Sequence, residues 1–281
     1  MKVVVIGSKG MLGTDLVAAC RKARFAVRGL DLPRFDLRKE KAVHELLPQA
    51  DWVVNCAAYT RVDDAEAHKA DAYAVNAEGA HRLARVCAIR NIRLMHLSTD
   101  YVFDGRRKRP YTERDDPAPL NVYGASKLAG ERAVRETGGR FLVVRTESLF
   151  GRNGPNFVRS IVRRLGEGDE PLRVVDDQVC SPTYTRHLAG ALVRLIQYDG
   201  EGIVHVTASG QCSWFEFARA IAARVRPDAA IEPIRAADLD RPAVRPANSL
   251  LDNSLYITWT GHAMPSWERG LDEYLAEEEW T

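Results

Sequence analysis

Long apolar runs are missing from this sequence of 281 residues. No stretch approaches the roughly 20 consecutive apolar residues that a membrane-spanning helix needs. The amino-terminal MKVVVIG is apolar, but Lys2 and Gly7 interrupt it too early for a signal peptide. We therefore expect a cytoplasmic protein without a membrane partner.

Cysteine is scarce and shows no pairing pattern. The five cysteines are an odd number, are widely scattered and include no Cys-x-x-Cys pair: Cys20, Cys56, Cys87, Cys180 and Cys212. Reduced and mostly buried thiols fit a cytoplasmic protein best. The seven histidines show no metal-ligand spacing either, so the sequence predicts no metal site.

An excess of charge of one sign is also absent. Forty Lys and Arg residues balance 38 Asp and Glu residues, which leaves a formal net charge of +2. This balance argues against a dedicated surface for nucleic acid or membrane. The basic run GRRKRP, from Gly105 to Pro110, is short and predicts a solvated loop. The chain is long enough for one sizeable domain or two unequal lobes.

Short apolar runs alternate with helical patterns through the first half of the chain. The predicted strands are KVVVIG, FAVRGLD, WVVNCAA, IRLMHLST and RFLVVRTESLF. Helices are predicted between them, including AYAVNAEGAHRLARVCAIRN and the segment with YGASKLAGERAV. Strands that alternate with helices in this way build a parallel sheet covered on both faces. The predicted fold class is therefore α/β, with a Rossmann-like doubly wound parallel sheet.

The pattern becomes less regular after Gly151. Helices are predicted for FVRSIVRRLGEG, HLAGALVRLIQ, SWFEFARAIAARV and WERGLDEYLAEEE, and a strand for GIVHVTA. Ser213 and Glu216 have the spacing of a capping box. LRVVDDQVCSPTY and RPAVRPANSLLDN are interpreted as extended or irregular. We predict a nucleotide-binding domain over 1–150, joined by about 186–206, and a smaller C-terminal lobe over 151–185 and 207–281.

Three glycines follow the first strand and open the first helix. Gly7, Gly10 and Gly13 form the pattern G-x-x-G-x-x-G in GSKGMLG. A turn without side chains lets backbone N–H groups approach a pyrophosphate, and the helix N-terminus adds a partial positive charge. Gly13 would also allow close packing of helix and strand. The sequence therefore predicts a dinucleotide site.

The preferred dinucleotide stays open. Asp31 ends the second strand, where an acid commonly accepts hydrogen bonds from the adenosine ribose of NADH. Arg28 and Arg34 lie close in sequence and would accommodate the 2′-phosphate of NADPH. NADPH and NADH are both predicted as cofactors.

A tyrosine and a lysine share one face of the predicted helix after Pro119. Asn121 is a suitable N-cap, and Tyr123 and Lys127 are four residues apart. A neighbouring ammonium group favours the phenolate and is expected to lower the pKa of the tyrosine. The pair suits a general acid that protonates an oxygen as hydride reaches the attached carbon. A solvated helix face is the alternative, and the glycine loop on the same scaffold argues against it.

A third hydroxyl group is expected to orient the carbonyl. Ser98 and Thr99 stand at the C-terminal end of a strand, where open α/β sheets bind their ligands. We predict that Thr99 has this role.

Several segments together resemble the extended short-chain dehydrogenase/reductase family, and in particular its reductases of dTDP-linked 4-keto-6-deoxy sugars. They are GSKGMLG, VVNCAAYTRVDDAE, STDYVFDG, PYTERDDPAPLNVYGASKLAGE, DDQVCSPTY and RPANSLLDN, and they cover nearly the whole chain. The resemblance implies a Rossmann-like domain, a sugar-nucleotide-binding lobe, and reduction of dTDP-4-dehydro-β-L-rhamnose to dTDP-L-rhamnose for cell-surface polysaccharide.

The resemblance also implies roles for individual residues. It assigns Thr99, Tyr123 and Lys127 as the catalytic set, with Lys127 on the nicotinamide ribose. The cofactor-binding residues would be Gly7, Gly10, Met11, Leu12, Gly13, Asp31, Asp36, Leu37, Ala57, Ala58, Tyr59, Tyr123 and Lys127. The substrate-binding residues would be Thr99, Asp100, Tyr123, Ser148 and Arg245.

The chain departs from the family pattern at two places. Ser148 stands where many members have a tryptophan near the sugar. Some members dimerise through magnesium held by carboxylates; here Asp15 is retained, but Arg186 takes the place of the second carboxylate. We expect no bound metal, and a monomer or a homodimer.

Two other functions remain open. One is a reductase or an epimerase of another nucleotide-linked deoxysugar. The other is a non-catalytic dinucleotide-binding subunit that resembles the regulatory subunit of methionine adenosyltransferase. The presence of Thr99, Tyr123 and Lys127 favours an enzyme.

Overall fold

Twelve strands lie in the part of the chain that the computed structural model describes, residues 1–168 and 171–277. They are β1 (Lys2–Ile6), β2 (Ala26–Leu30), β3 (Trp52–Asn55), β4 (Arg93–Thr99), β5 (Phe141–Thr146), β6 (Leu149–Phe150), β7 (Leu172–Val175), β8 (Val179–Cys180), β9 (Thr183–Tyr184), β10 (Gly202–His205), β11 (Cys212–Ser213) and β12 (Ile231–Ile234).

Six of these strands form the central sheet, in the order β10-β5-β4-β3-β1-β2. Every neighbouring pair is parallel. The order reverses direction between β1 and β3, which is the topology of a doubly wound dinucleotide-binding sheet. The predicted fold class is confirmed, and the predicted strand GIVHVTA is β10, which pairs with β5.

The described helices are α1 (Met11–Lys22), α2 (Glu40–Leu46), α3 (Val62–Ala67), α4 (Lys69–Tyr73), α5 (Ala80–Ile89), α6 (Val122–Glu136), α7 (Phe157–Gly166), α8 (Thr185–Tyr198), α9 (Trp214–Val225), α10 (Ser254–Thr260) and α11 (Trp267–Glu277). A π-helical turn, Ala74–Gly79, joins α4 to α5. Short 3-10 helices cover Asp100–Val102 and Ala236–Asp238. None of these helices is both long and apolar enough to cross a membrane.

Helices cover both faces of the sheet because its strands are apolar on both sides. On one face α1 packs against α8, with Leu16, Leu188 and Leu192 buried against the strands. On the other face α5 packs against α2 and α6, with Val43 and Leu83 buried. Because helices cover both faces, the sheet is accessible to ligands only at the ends of its strands.

An aromatic core holds the remaining elements together. Phe150, Tyr184, Phe217 and Tyr274 are buried in one cluster with residues of α7, α9 and α11. The strands here form three short pairs, β7 with β12, β6 with β9, and β8 with β11. The division into two domains stays a prediction. Residues 169–170 and 278–281, which the predicted second lobe includes, lie outside the described residues.

Several local predictions differ from the structure. RFLVVRTESLF is interrupted after Thr146, because Ser148 has a φ of 47° and turns the chain out of the sheet. WVVNCAA is a strand only as far as Asn55. LRVVDDQVCSPTY contains three short strands, and α2, α10 and β12 were not predicted. The Ser213–Glu216 capping box is confirmed.

Candidate active site

A cavity of about 970 Å³ lies at the C-terminal ends of β1, β3, β4 and β5. Ligands of open α/β sheets bind at this edge, next to the point where the strand order reverses. Fifteen of the predicted site residues line it: Gly7, Gly10, Met11, Leu12, Asp31, Asp36, Leu37, Ala57, Ala58, Tyr59, Thr99, Asp100, Tyr123, Lys127 and Ser148. Gly13 and Arg245 are not among the lining residues.

The glycine loop allows close approach of three backbone segments. Gly7 has a φ of 74°, and a Cβ atom there would lie 2.8 Å from the Ala57 nitrogen. A Cβ at Gly13 would lie 2.0 Å from the Gly7 oxygen. Gly10 caps α1 without a side-chain hydrogen bond, so the first N–H groups of α1 receive no side-chain cap. Such N–H groups are the donors that bind phosphate at a helix N-terminus.

Asp31 lies where the large cavity meets a smaller one of about 260 Å³. Its two carboxylate oxygens accept hydrogen bonds from the backbone nitrogens of Lys9 and Leu32, each at 2.7 Å. Lys9, Arg28 and Arg34 also line the smaller cavity. Three cations therefore surround one carboxylate whose oxygens already have backbone partners.

Two other predicted cofactor-binding residues have side chains committed to neighbours. Asp36 accepts hydrogen bonds from the Arg38 guanidinium at 2.9 and 3.0 Å, which lowers the pKa of the Asp36 carboxyl. The Tyr59 hydroxyl donates to Asp64. At both positions the functional group of the side chain therefore already has a hydrogen-bond partner.

Asn76 was not predicted, yet it fixes the wall of the cavity. This buried amide donates to the Tyr59 oxygen at 3.1 Å and accepts from the Tyr59 nitrogen at 2.8 Å. It also donates to the Ser126 hydroxyl at 2.9 Å. In the sequence, Asn76 could have been noticed as a single amide side chain in the mostly apolar helical segment AYAVNAEGA. In the structure it lies in the π-helical turn. π-Bulges are frequent at functional sites.

Tyr123 lies at the first turn of α6, which Asn121 caps by accepting the Gly124 N–H at 2.8 Å. Burial raises the pKa of Tyr123 to about 12, and a hydrogen bond with Thr99 opposes this shift. The Tyr101 ring meets the Tyr123 ring edge-on, with centroids 5.9 Å apart. A tyrosine in this state keeps its proton at neutral pH.

Lys127 lies one turn further along α6 and is buried. Its Nζ donates to the Leu97 carbonyl oxygen at 2.5 Å. Burial lowers the pKa of Lys127 to about 8, although the charge of Glu131 opposes this shift. The sequence analysis expected Lys127 to lower the pKa of Tyr123. The structure differs, because the ammonium group is directed to Leu97 and burial dominates the pKa of the phenol.

Neighbouring hydroxyl groups on β4 point into different networks. The Thr99 hydroxyl donates to Asp100 Oδ1 at 2.8 Å and accepts the Tyr101 N–H at 3.2 Å. The Ser98 hydroxyl donates to Glu131 Oε1 at 2.5 Å. The hydrogen bond between Thr99 and Tyr123 shows that Thr99 is the hydroxyl next to the phenol.

A buried ion pair connects α6 to the central sheet next to the site. The Arg145 guanidinium donates to Glu131 at 2.9 and 2.7 Å, and both side chains are 2% exposed. Arg145 belongs to β5 and Glu131 to α6, so the pair joins the sheet to the helix that carries Tyr123 and Lys127. Nothing in the spacing of these two residues indicated the contact.

The remaining predicted positions have other partners. Arg245 binds both carboxylate oxygens of Asp63, at 2.9 and 2.6 Å. Asp15 accepts from the Thr185 hydroxyl at 2.5 Å, and Arg186 pairs with Glu277. Within residues 1–168 and 171–277, no cluster of three or more His, Cys, Asp or Glu side chains has the arrangement of a metal site.

A glycine loop at a parallel-sheet edge and the side chains of Thr99, Tyr123 and Lys127 in one cavity define an NAD(P)-dependent oxidoreductase of the short-chain dehydrogenase/reductase class. Comparison with known proteins agrees with this class and narrows it. The family model described as the RmlD substrate binding domain matches residues 1–279, and the chain belongs to this family.

Two relatives support the assignment of this chain to the reductases. A dTDP-4-dehydrorhamnose reductase from Mycobacterium tuberculosis is 39% identical over 282 residues, covering 98% of this chain and 92% of the relative. A dTDP-4-keto-6-deoxy-D-glucose reductase from Streptomyces niveus is 43% identical over 219 residues, covering 77% and 76%. The predicted resemblance to the extended short-chain dehydrogenase/reductase family is confirmed.

A solved structure has the same fold over almost its whole length. It is a dTDP-4-dehydrorhamnose reductase from Bacillus anthracis in complex with NADP, with a TM-score of 0.94 and 35% sequence identity. The alignment covers 99% of each chain.

Proposed function

We propose that this protein reduces the 4-keto group of dTDP-4-dehydro-β-L-rhamnose to give dTDP-L-rhamnose, with NADPH or NADH as reductant. The observation that carries the proposal is the contact of Thr99 with a protonated Tyr123 in a cavity of about 970 Å³. The product would serve the synthesis of cell-surface polysaccharide. A cytoplasmic location and a monomeric or homodimeric state belong to the same proposal.

The residues fit a dinucleotide. Gly7 and Gly10 would hold the pyrophosphate at the start of α1, because the first N–H groups of α1 receive no side-chain cap. Asp31, Lys9, Arg28 and Arg34 would surround the adenosine ribose or its 2′-phosphate. The remaining proposed contacts are Met11, Leu12, Asp36, Leu37, Ala57, Ala58 and Tyr59. The reduced nicotinamide supplies the hydride when it is bound.

Tyr123 would give its proton to the carbonyl oxygen as negative charge develops there. Because its pKa is about 12, the phenol is protonated at neutral pH and is still a stronger acid than the alcohol that forms. Thr99 would orient the same oxygen by a hydrogen bond. Lys127 would contact the nicotinamide ribose with its ammonium group, and Asp100, Ser148 and Arg245 would bind the sugar nucleotide.

A second candidate substrate is dTDP-4-keto-6-deoxy-D-glucose, the compound in the name of the Streptomyces niveus relative. Two observations favour it. The identity to that relative is 43% over 219 residues, and Ser148 stands at the tryptophan position of many rhamnose-forming members. Both candidates need the same hydride and proton transfer at C4.

The test is a turnover assay with each substrate and with NADPH or NADH, followed by the loss of absorbance of the reduced nicotinamide. Tyr123→Phe removes the proton donor, so kcat should fall by about 10² to 10⁴ while dinucleotide affinity stays within about twofold. Product analysis identifies the sugar. Dinucleotide binding without turnover of any keto sugar would contradict the proposal and favour the regulatory-subunit hypothesis. Epimerised product without net oxidation of the dinucleotide would favour an epimerase.

A further inference from the structure

Glu147 is a buried acid in the cavity with no role in the transfer described so far. It directly follows β5, at the sheet edge where ligands bind, and the residue is 2% exposed. Lysines and arginines are the usual partners of such a group, but here the Ser249 hydroxyl donates to Oε2 at 3.0 Å. The other oxygen, Oε1, is buried and receives no hydrogen bond within the described part of the chain.

Asp100 repeats this arrangement on the neighbouring strand end. Its Oδ1 accepts from Thr99 at 2.8 Å, whereas its Oδ2 is buried and has no hydrogen-bond partner among the described side chains and backbone. Both acids line the same cavity as Tyr123. Two buried carboxyl oxygens without partners are costly unless a ligand provides hydrogen bonds.

The two acids are close enough to affect each other's ionisation. Burial raises the pKa of Asp100 to about 7. Burial, and then the charge of Asp100, raise the pKa of Glu147 well above its usual range. Two adjacent buried carboxyl groups cannot both ionise easily, so burial and the charge of Asp100 both favour the protonated form of Glu147. A neutral carboxyl group can donate one hydrogen bond and accept others.

The position of Glu147 relative to Tyr123 identifies what it would contact. Thr99 links Asp100 to Tyr123, and Asp100 in turn lies beside Glu147. If the carbonyl at C4 of the sugar meets Tyr123 and Thr99, its two ring neighbours are C3, which carries a hydroxyl group, and C5, which carries a methyl group. Only the hydroxyl group can satisfy the buried carboxyl oxygens.

We propose that Glu147 is a substrate-binding residue that hydrogen bonds with the C3 hydroxyl group of the sugar, next to the reacting carbonyl. This inference rests on the proposed reduction of a 4-keto-6-deoxy sugar. It assigns the selection of sugars with a free C3 hydroxyl group to a residue of this chain that the sequence analysis did not single out.

Three proteins and two substrates test the proposal. The proteins are the wild type, Glu147→Met, which keeps the length of the side chain without hydrogen bonding, and Glu147→Gln, which keeps a donor and an acceptor. The substrates are the dTDP-linked 4-keto-6-deoxy sugar and its 3-deoxy analogue. Dinucleotide affinity and the thermal midpoint of each variant report whether the fold and the cofactor site are intact. Glu147→Ala replaces Glu147→Met if the latter does not fold.

For the full substrate, kcat/KM should fall about tenfold or more in Glu147→Met, the usual effect of losing one hydrogen bond to a buried partner. Glu147→Gln should recover most of that loss. For the 3-deoxy analogue, wild type and Glu147→Met should have the same kcat/KM, because the contact is already missing. Equal losses in Glu147→Met on both substrates, or no loss on either, would overturn the proposal. Turnover of the full substrate by the wild type keeps this result separate from a failure of the proposed reductase function.

Discussion

Burial affects the pKa values of Tyr123 and Lys127 more than neighbouring charges do. Tyr123 and Lys127 share one helix face, yet burial moves the pKa of the phenol up to about 12 and that of the ammonium group down to about 8. Both shifts favour the neutral form, as desolvation requires. At neutral pH Tyr123 therefore carries its proton, and Lys127 is still mostly charged.

Dinucleotide binding should weaken as the pH rises through about 8. Below that value Lys127 is an ammonium group, and above it the group loses the charge proposed to act at the nicotinamide ribose. Titration of the dinucleotide by fluorescence between pH 6 and pH 10, without sugar, measures the effect. Lys127→Met should bind more weakly and show no such dependence. An unchanged pH dependence in Lys127→Met would assign the titration to another group.

At the scale of elements, α1 and the loop after β1 lie so close together that no side chain fits between them at Gly13. Gly13 lies in α1, and a Cβ there would come within 2.0 Å of the Gly7 oxygen. Backbone atoms cannot move aside as a flexible side chain can. The close approach of α1 to the end of β1, at the proposed phosphate site, thus depends on this glycine.

Gly13→Ala should therefore lower the free energy of unfolding by about 2 kcal/mol or more and abolish dinucleotide binding, because the loop must shift to relieve the clash. Urea denaturation and dinucleotide titration measure the two effects. Gly190→Ala in α8 is the matched control, since a Cβ there would meet only the end of the Arg194 side chain, at 3.7 Å. It should raise stability by about 0.5–1 kcal/mol. Similar stabilities of the two variants would contradict the packing argument.

At the scale of the whole molecule, an irregular segment over residues 241–253 ties distant parts of the chain together. The Ala247 oxygen accepts the Val179 N–H at 2.9 Å, and the Leu250 oxygen accepts the Tyr111 N–H at 2.8 Å. The Ser249 hydroxyl that binds Glu147 belongs to the same segment. This part of the chain therefore connects the cavity to β8 and to Tyr111.

The Arg245–Asp63 pair anchors this segment across 182 residues of sequence. Arg245→Met should lower the free energy of unfolding by about 1 kcal/mol, because solvent screening at Asp63, whose side chain is 42% exposed, limits the loss. Chemical denaturation measures it. If Arg245 acts through the segment, Asp63→Asn should raise KM for the sugar nucleotide by the same factor as Arg245→Met. A rise in Arg245→Met alone would instead support the predicted direct contact of Arg245 with substrate.

Local sequence patterns were sufficient for most of the main sheet. KVVVIG, IRLMHLST and GIVHVTA are strands because continuous apolar runs can only be buried between two helical layers. The Ser213–Glu216 capping box could also be predicted, since it depends only on two residues that are three positions apart in sequence. Short elements such as β12 and α10 were missed, because their stability comes from packing partners far along the chain and little from their own residues.

The candidate site divides in the same way. Glycine spacing and the Tyr123–Lys127 spacing are local, so the sequence by itself determined the dinucleotide loop, the helix face and the class of chemistry. The partners of Asn76, Glu147 and Arg245 lie 17 to 182 residues away, and no spacing rule connects them. Burial at these points, and with it the pKa of Tyr123, depends on every element that closes over the site. Only the tertiary structure decided those properties, because desolvation and long-range hydrogen bonds exist only after the chain has folded.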